Sequence, residues 1–350
     1  MPTALLSRRE AIAAIAAASL AAPAMAQSKR LHYGAAAMKE NFLEDARYRE
    51  ALIKYCDVIV PMNDLKWEAL RPTRETFAFE DADRILNFAK EHGKGVRGHA
   101  LCWYEALPAW AKTIASKAEA EKELRRHIET VVTRYRGQIP SWDVVNEAIA
   151  HDPASQGIWR DGLWQRLLGS EHIDIAFAAA AAADPKAELV YNDYDLENGD
   201  GRQQRRRQHV LDLVRHLQKR KIPIHAIGFQ AHLYAERAID ADGIATFVTE
   251  LKKLGVKAIV TELDVIDWRL PGLNPERDAA SARHVRDFLS ALSVAAPLET
   301  VITWGITDRY SWIPEHFKRP DRLPNRPLPL DRDYKPKPMM QVLQEFRNRA

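Results

Sequence analysis

Two glutamates, each close to the end of an apolar run, are the residues of this chain best suited to acid–base and nucleophilic chemistry. Glu147 ends the run Ser141–Glu147, and Glu262 lies within the run Ala258–Val265. Hydrolysis of a glycosidic bond needs two carboxyl groups, one to protonate the leaving oxygen and one to attack the anomeric carbon or to activate water. The pair therefore predicts a glycoside hydrolase, whereas either glutamate alone would be interpreted as structural.

The elements that must bring these glutamates together are parallel strands. Short apolar runs alternate with longer runs whose apolar residues recur at three and four positions, a pattern typical of strands joined by crossover helices. The predicted strands are Leu31–Ala37, Val58–Asn63, Gly95–Trp103, Ser141–Glu147, Ala187–Asp193, Ala226–His232, Ala258–Val265 and Val301–Asp308. The predicted helices include Asp81–His92, Lys117–Arg136, Leu163–Ala183, Gly201–Arg220, Ile239–Leu254 and Glu276–Ala295.

The fold class predicted from this alternation is α/β, as a single (β/α)8 TIM barrel, because no Pro-rich or Gly/Ser-rich linker separates the eight units. Most of the predicted strands begin apolar and end in polar or aromatic residues. Such residues would cost roughly 1–3 kcal/mol each if they were buried without partners in mid-strand. At the carboxyl ends of barrel strands they would instead share one cavity, which predicts the active site there.

Seven blocks of sequence, in order, resemble glycoside hydrolase family 10, the barrel xylanases. The segment 141–148 resembles the acid/base motif of that family, and 261–264 resembles its nucleophile motif. The other blocks that resemble the family are 63–68, 97–103, 191–194, 228–232 and 304–308, the last followed by Ser311 and Trp312. The resemblance covers nearly all of the chain after its first 26 residues. It implies an endo-1,4-β-xylanase that retains the anomeric configuration.

The resemblance also implies a role for each matched residue. Glu147 would be the general acid and then the general base, and Glu262 would be the nucleophile. His232 would hold Glu262 ionised, with Asp264 orienting that histidine, and Tyr194 would lie behind the site. The implied substrate-binding residues are Asn63, Lys66, His99, Trp103, Asn146, Gln230, His232, Trp304 and Trp312. No metal or cofactor is implied.

Three residues depart from the family's usual pattern. Met62 stands where the family usually has Glu, Tyr104 where it has His, and Ala106 where it has Gln. All three positions belong to the side that would bind the glycone. We therefore expect altered binding of the second glycone sugar and an intact catalytic step.

The balance of 51 basic and 48 acidic residues gives no electrostatic reason to expect a nucleic acid or a membrane surface as partner. The expected partner is xylan or a xylo-oligosaccharide, bound by a monomer. The run 205–207 of three arginines is interpreted as a solvated helix face, and His151, Asp152, His172 and Asp174 as surface loop residues. Asp308 and Arg309 are expected to form an ion pair. Cys56 and Cys102 are expected to be free buried thiols, with one disulfide as the alternative.

The N-terminus predicts an export signal. An arginine pair at 8–9 precedes the apolar run 11–22, and Ala24-Met25-Ala26 provides a small-x-small cleavage site. The arginine pair indicates export by the twin-arginine route, and an ordinary Sec signal is the alternative. The predicted organisation is a signal at 1–26 and a catalytic barrel at 27–350, exported to the periplasm or secreted.

Three other functions stay open from the residues alone. One is a retaining β-glycosidase that acts on short xylo-oligosaccharides or another β-glycan. Another is a sugar-binding barrel without catalysis, which the presence of both carboxyl groups and their polar neighbours disfavours. The last is a metal-dependent barrel lyase or isomerase, which would lose activity in EDTA.

Overall fold

The computed structural model describes residues 30–295 and 297–349, and the predicted export signal lies outside them. Nine parallel strand segments form one sheet that curls into a barrel. In chain order, β1 to β9 are His32–Ala37, Val58–Pro61, Gly95–Val96, Ser141–Asn146, Glu188–Asp193, Ala226–Phe229, His232–Tyr234, Lys257–Ile266 and Thr300–Thr303.

The sheet closes on itself as a barrel. Its strands follow the order β3-β2-β1-β9-β8-β6-β5-β4, with β7 also paired to β8. Between the two ends of that order, parallel bridges join Gly98 to Trp142 and Cys102 to Val145. A side chain at Gly98 could not be accommodated, because its Cβ would lie 2.0 Å from the Trp142 ring. The segments β6 and β7 are the two halves of the sixth barrel strand, so the predicted (β/α)8 barrel is confirmed.

The helices cover the outside of the barrel. In chain order, α1 to α13 are Lys39–Glu44, Ala46–Tyr55, Trp67–Leu70, Glu80–Glu91, Lys117–Arg134, Pro153–Gln156, Leu163–Leu168, Glu171–Ala183, Gly201–Lys219, Ala241–Lys253, Asn274–Leu292, Ile313–His316 and Pro338–Arg349. The helix predicted over 163–183 is broken in two, because Gly169 takes a left-handed φ of 59°. The helices α1 and α2 fill the gap between the first two barrel strands, for which no helix bounds were predicted.

Alternation along the strands separates two apolar layers. On β1, Ala35 and Ala37 belong to the large core between sheet and helices, whereas Ala36 belongs to a smaller cluster. That smaller cluster also contains Val60, Met62, Ile302 and Trp304. It fills the barrel interior beneath the carboxyl ends of the strands and supports the floor of the site.

The helices bury the stripe that their sequence period predicts. In α5, for example, Leu124, Ile128, Val131 and Val132 are buried at spacings of three and four. The helix begins at a capping serine, since the Ser116 hydroxyl accepts a hydrogen bond from the Glu119 amide at 3.2 Å. No helix within the described ranges is both long and apolar enough to cross a membrane.

Candidate active site

The barrel places one of the two predicted glutamates just after β4 and the other in the second half of β8. Glu147 follows the last residue of β4, and Glu262 lies within β8. Only 9% of Glu147 and 5% of Glu262 is exposed. Both carboxylates are therefore largely removed from water, where their pKa values and their reactivity depend on a few neighbouring side chains.

Amide side chains join the two carboxylates. Asn192 Nδ2 donates to Glu262 Oε1 at 2.7 Å and to Asn146 Oδ1 at 2.8 Å. Asn146 Nδ2 in turn donates to Glu147 Oε1 at 3.1 Å, and Gln230 Nε2 donates to the same oxygen at 2.8 Å. This arrangement links the ends of four strands and fixes both carboxyl groups against the same polar wall.

Asn192 can occupy this place because of the residue on the next strand. A Cβ at Gly228 would lie 2.2 Å from Asn192 Oδ1. The Thr261 hydroxyl donates to Asn192 Oδ1 at 2.6 Å, which leaves the amide nitrogen pointing toward Glu262 and Asn146. Asn192 was quoted in a matched motif but was not among the predicted site residues. Its type, at the end of the fifth barrel strand, was the signal that could have identified it.

A histidine lies between the carboxylates of Glu262 and Asp264. His232 Nε2 is 3.4 Å from Glu262 Oε2, and His232 Nδ1 is 2.9 Å from Asp264 Oδ1. Trp312 Nε1 donates to the other Asp264 oxygen at 2.7 Å. Burial would lower the pKa of His232, but the charge of Asp264 and the hydrogen bonds to Asp264 and Glu262 outweigh burial and raise that pKa well above its usual value.

The two glutamates have pKa values shifted in opposite directions. Burial raises the pKa of Glu147, and the charges of Asp193 and Glu262 add to this effect. Burial would also raise the pKa of Glu262, but the hydrogen bond from His232 and the charges of His99 and His232 outweigh it, so that this pKa lies below its usual value. One carboxyl group is set to keep a proton and the other to lose it, which is the division of roles that acid and nucleophile need.

His99 is held by a buried ion pair. His99 Nδ1 is 2.9 Å from Asp143 Oδ2, and Arg97 binds both oxygens of that carboxylate. Burial would raise the pKa of Asp143, but the charge of Arg97 and the hydrogen bond from His99 hold it below its usual value. Arg97 and Asp143 thus orient His99, whose Nδ1 lies 4.0 Å from Glu262 Oε1. The sequence alone did not assign a role to either residue.

The remaining predicted residues form a wall next to His99. Lys66 Nζ donates to Asn63 Oδ1 at 2.9 Å and lies 4.9 Å from the centre of the Trp103 ring. Trp304 packs against His99 with ring centres 5.1 Å apart. Burial lowers the pKa of Lys66, opposed by the charges of Glu262 and Glu147. This wall presents hydrogen-bonding groups and aromatic faces together, a combination suited to a sugar ring.

The comparison with known families settles the relationship of the chain. The model for glycosyl hydrolase family 10 matches residues 21–346. The chain belongs to glycosyl hydrolase family 10. The family predicted from the ordered motifs is therefore confirmed.

Two named relatives of the family 10 chain are similar over most of its length. It is 34% identical to endo-1,4-beta-xylanase 1 of Humicola insolens, over 86% of this chain and 71% of the relative. It is 32% identical to endo-1,4-beta-xylanase B of Thermotoga neapolitana, over 92% of this chain and 90% of the relative.

Solved structures of family 10 have the same fold. Native xylanase 10B from Thermotoga maritima superimposes with a TM-score of 0.81 at 30% identity, covering 91% of this chain and 95% of that one. Xylanase 10B from Thermotoga petrophila, solved in complex with xylobiose, superimposes with the same TM-score and identity and is covered to 94%.

The three departures from the family 10 pattern have structural consequences. Met62 is buried in the apolar cluster that includes Val60 and Trp304. Tyr104 packs against the Trp103 ring, with centres 5.7 Å apart. Ala106 takes a left-handed φ of 51°, and its carbonyl accepts a hydrogen bond from the Glu68 amide at 2.8 Å. Met62 and Ala106 therefore place apolar side chains where the usual pattern has polar ones.

Several interpretations of charged residues were wrong. Asp308 does not pair with Arg309: it binds Lys337 at 2.8 Å, and Arg309 approaches Asp45 at 4.0 Å. Arg309 is exposed, whereas Lys337 comes from the segment whose Leu330 pairs with the backbone at Thr307. His172 and Asp174 are not surface loop residues, because both are buried in α8.

The arginine run on α9 is also not simply a solvated face. Arg206 is fully buried and binds Asp193 at 2.8 Å, and Arg207 is buried against Asp240. Burial of an arginine requires an acidic partner from another element, which the spacing within a helix does not reveal. The expectation for the two cysteines is confirmed, since Cys56 and Cys102 are both buried and free.

Tyr194, expected behind the site, makes no hydrogen bond to either catalytic candidate among those described. Its hydroxyl lies 3.1 Å from His151 Nδ1 and accepts a hydrogen bond from Arg160. Arg160 itself donates to the backbone carbonyl of Glu147 at 2.8 Å. Tyr194 therefore reaches the site through Arg160, a residue that the sequence reasoning did not single out.

Proposed function

We propose that this family 10 chain is an endo-1,4-β-xylanase that hydrolyses internal β-1,4-xylosidic bonds of xylan with retention of configuration. The observation that carries the proposal is the pair of buried carboxyl groups with oppositely shifted pKa values, joined through Asn146 and Asn192. The family membership and the names of the relatives support it.

The proposed reaction takes place in two steps. Glu147 gives its proton to the glycosidic oxygen while the Glu262 carboxylate attacks the anomeric carbon, so that a glycosyl ester forms and the leaving sugar departs. Water then attacks the same carbon and loses its proton to Glu147, which restores Glu262. The positive His232 keeps Glu262 ionised before attack and stabilises it as it leaves.

The proposed binding residues are the same as those implied by the family motifs. Asn63, Lys66 and His99 would hydrogen-bond the sugar hydroxyls on the glycone side. Asn146 would bind the 2-hydroxyl next to the cleaved bond, a contact that strengthens as the oxocarbenium ion develops. The indoles Trp103, Trp304 and Trp312 would leave little room for a hydroxymethyl group, which favours xylose over glucose. The binding of xylobiose by the Thermotoga petrophila relative supports this assignment.

A second candidate is a retaining enzyme for short xylo-oligosaccharides or another β-glycan. The apolar environment of Met62 favours it, because the second glycone sugar loses a polar contact there. The two candidates differ in their products from linear xylan. Early release of a range of long oligosaccharides supports the endo-xylanase, and release of only short products from chain ends supports the alternative.

The anomeric form of the first product tests reaction and substrate together. Proton NMR of xylohexaose mixed with the enzyme should show the β-anomer first, followed by slow mutarotation. Initial α-anomer would overturn the retaining mechanism, and absence of cleavage would overturn the function itself. Glu262→Gln, purified in the same way, should give no product and excludes a contaminating hydrolase.

The proposal extends to the whole chain: an export signal at 1–26, a catalytic barrel at 27–350 and a monomer in the periplasm or outside the cell. Sequencing of the mature N-terminus should begin at Gln27. Replacing Arg8 and Arg9 together by Lys should block export by the twin-arginine route and leave a Sec signal working. Full activity after dialysis against EDTA would exclude the metal-dependent alternative.

A further inference from the structure

The backbone at Glu147 has an unusual conformation for its residue type. Its φ of 56° lies in the left-handed region, which is strained for a residue other than glycine. The conformation turns the side chain away from the path of β4 and toward Gln230. Its amide donates to the Asn192 carbonyl at 2.9 Å, which fixes one side of the peptide. A second hydrogen bond, to the carbonyl group of Glu147, is needed if the carboxyl group is to keep its direction.

Arg160 provides that hydrogen bond. Its Nε donates to the carbonyl of Glu147 at 2.8 Å, and its Nη2 donates to the carbonyl of Ile149 at 3.1 Å. Its own backbone amide donates to the carbonyl of Ala148, between the other two, at 2.8 Å. One residue thus binds three consecutive carbonyl groups of the turn that carries Glu147.

Two tyrosine rings fix the guanidinium of Arg160. The ring of Tyr104 lies 4.6 Å from its central carbon and the ring of Tyr194 lies 5.3 Å from it, and the Tyr194 hydroxyl accepts one of its hydrogen bonds. Tyr104 packs directly on Gly162, where an added Cβ would come within 2.9 Å of the tyrosine Cβ. A planar guanidinium between aromatic faces loses little freedom when it donates. Tyr104 is one of the departures from the family pattern, so its contact with Arg160 depends on a residue that the usual pattern lacks.

Glu262 receives no such support. It lies within the extended run of β8, and its carboxylate is held by Asn192 and His232. Arg160 makes no described contact with Glu262 or with the wall formed by Lys66 and Trp304. A change at Arg160 should therefore disturb one of the two carboxyl groups and leave the other in place.

We propose that Arg160 is a positioning residue for the acid/base Glu147, and that it acts on the proton-transfer steps without acting on nucleophilic attack. The proposal rests on the proposed function. It predicts that a change at Arg160 lowers kcat/KM by a factor that depends on the leaving group of the substrate. A xylose leaving group must receive a proton from Glu147 as the bond to the anomeric carbon breaks, whereas 2,4-dinitrophenolate departs as the anion and needs none.

The test compares kcat/KM for xylotetraose with kcat/KM for 2,4-dinitrophenyl β-xylobioside. In Arg160→Gln we expect kcat/KM for xylotetraose to fall at least about tenfold, since small misplacements of a reacting group can cost up to about 100-fold in rate. The kcat/KM for the aryl xylobioside should stay within about twofold of the wild-type value. The kcat for the aryl substrate should fall, because water attack on the glycosyl ester still needs Glu147 as base. Azide should restore that kcat and give β-xylobiosyl azide, as it does not require a base.

Three further variants make the comparison specific. Glu147→Gln sets the pattern for complete loss of the acid/base. Arg166→Gln removes a neighbouring exposed arginine whose described ion pair is with Asp161, and this variant should match the wild type. Arg160→Lys keeps the charge but not the fork that reaches the carbonyls of residues 147 and 149, so it should show the same leaving-group pattern as Arg160→Gln. If Arg160→Gln does not fold, as judged by near-ultraviolet circular dichroism, Arg160→Lys provides the same test.

Equal losses on both substrates, or no azide rescue, would overturn the proposal and assign Arg160 to general structure. An unchanged kcat/KM on xylotetraose would also overturn it. Wild-type enzyme that cleaves neither substrate would instead contradict the proposed function, so the two failures can be told apart.

Discussion

The surroundings of Glu147 and Glu262 differ, although both residues are buried glutamates at the same end of one barrel. Glu262 belongs to a regular strand and is paired with a positive histidine, whose charge is held by Asp264. Glu147 lies in a left-handed turn just past its strand, and neutral amides bind its carboxyl group. The difference teaches that the two roles follow from the partners. Positive charge near one carboxyl lowers its pKa, whereas burial, aided by the charges of Asp193 and Glu262, raises the pKa of the other.

The largest effect should come from removing the carboxylate that is paired with charge. Glu262→Ala should lower kcat on xylan and on aryl xylobiosides alike by about 10⁵-fold, because no glycosyl ester can form. Initial rates with both substrates check this. The exposed Glu129→Gln on α5 is the matched control and should behave as wild type. Activity of the Ala variant within tenfold of wild type would show that Glu262 is not the nucleophile.

Removing the other carboxyl group should separate the substrates. Glu147→Ala should lower kcat/KM on xylan by about 10²–10⁴-fold, the usual contribution of general acid catalysis. A dinitrophenyl xylobioside should be affected far less in kcat/KM, since its leaving group needs no proton. Steady-state kinetics on the two substrates measure the contrast. Full activity on xylan would end the assignment of Glu147 as the acid.

The charge on His232 can be removed while a hydrogen-bonding side chain is kept. His232→Gln should lower kcat/KM by about 100-fold, the scale of losing one fixed electrostatic partner. Wild-type kcat/KM should be bell-shaped in pH. It falls at low pH as Glu262, with its lowered pKa, gains a proton, and falls at high pH as Glu147, with its raised pKa, loses one.

In the His232→Gln variant the acid limb alone should move to higher pH, because Glu262 loses the positive charge that lowers its pKa. The alkaline limb should stay in place, since Glu147 has no contact with His232 among those described. A pH profile of kcat/KM for xylotetraose, whose leaving group needs the proton of Glu147, measures both limbs. Parallel movement of both limbs would mean that the two environments are not independent.

The smallest effect on catalysis should come from the departures on the glycone side. Met62→Glu places a carboxyl group in the apolar cluster and should lower stability by about 1–3 kcal/mol. KM for xylobiosides should change, but the acid and alkaline limbs of the pH profile should stay in place. Thermal unfolding and pH profiles check both parts. Met62→Leu, similar in volume, should cost less than about 1.5 kcal/mol. A more stable Glu variant would contradict the buried apolar environment of Met62.

The sequence predicted the parts of the molecule that follow from local pattern. The period of the apolar residues gave the barrel strands, and motif order gave both glutamates and the partners His232, Asp264 and Gln230. It did not reveal the break in the helix at Gly169, because a left-handed glycine does not interrupt the spacing of the apolar residues around it. Nor did it reveal Arg160 or the pair of Arg206 and Asp193, since contacts between distant elements depend on how the barrel closes.

The most direct test of the account is to trap the glycosyl ester. Incubation with 2,4-dinitrophenyl 2-deoxy-2-fluoro-β-xylobioside should inactivate the enzyme, because the fluorine slows the hydrolysis of the ester more than the loss of the good leaving group. Mass spectrometry of the digested protein should place the added fluoroxylobiosyl group on the peptide that contains Glu262, and Glu147→Ala should still be labelled. A label on any other residue, or labelling that persists in Glu262→Gln, would contradict the assignment of the nucleophile and with it the division of roles between the two carboxyl groups.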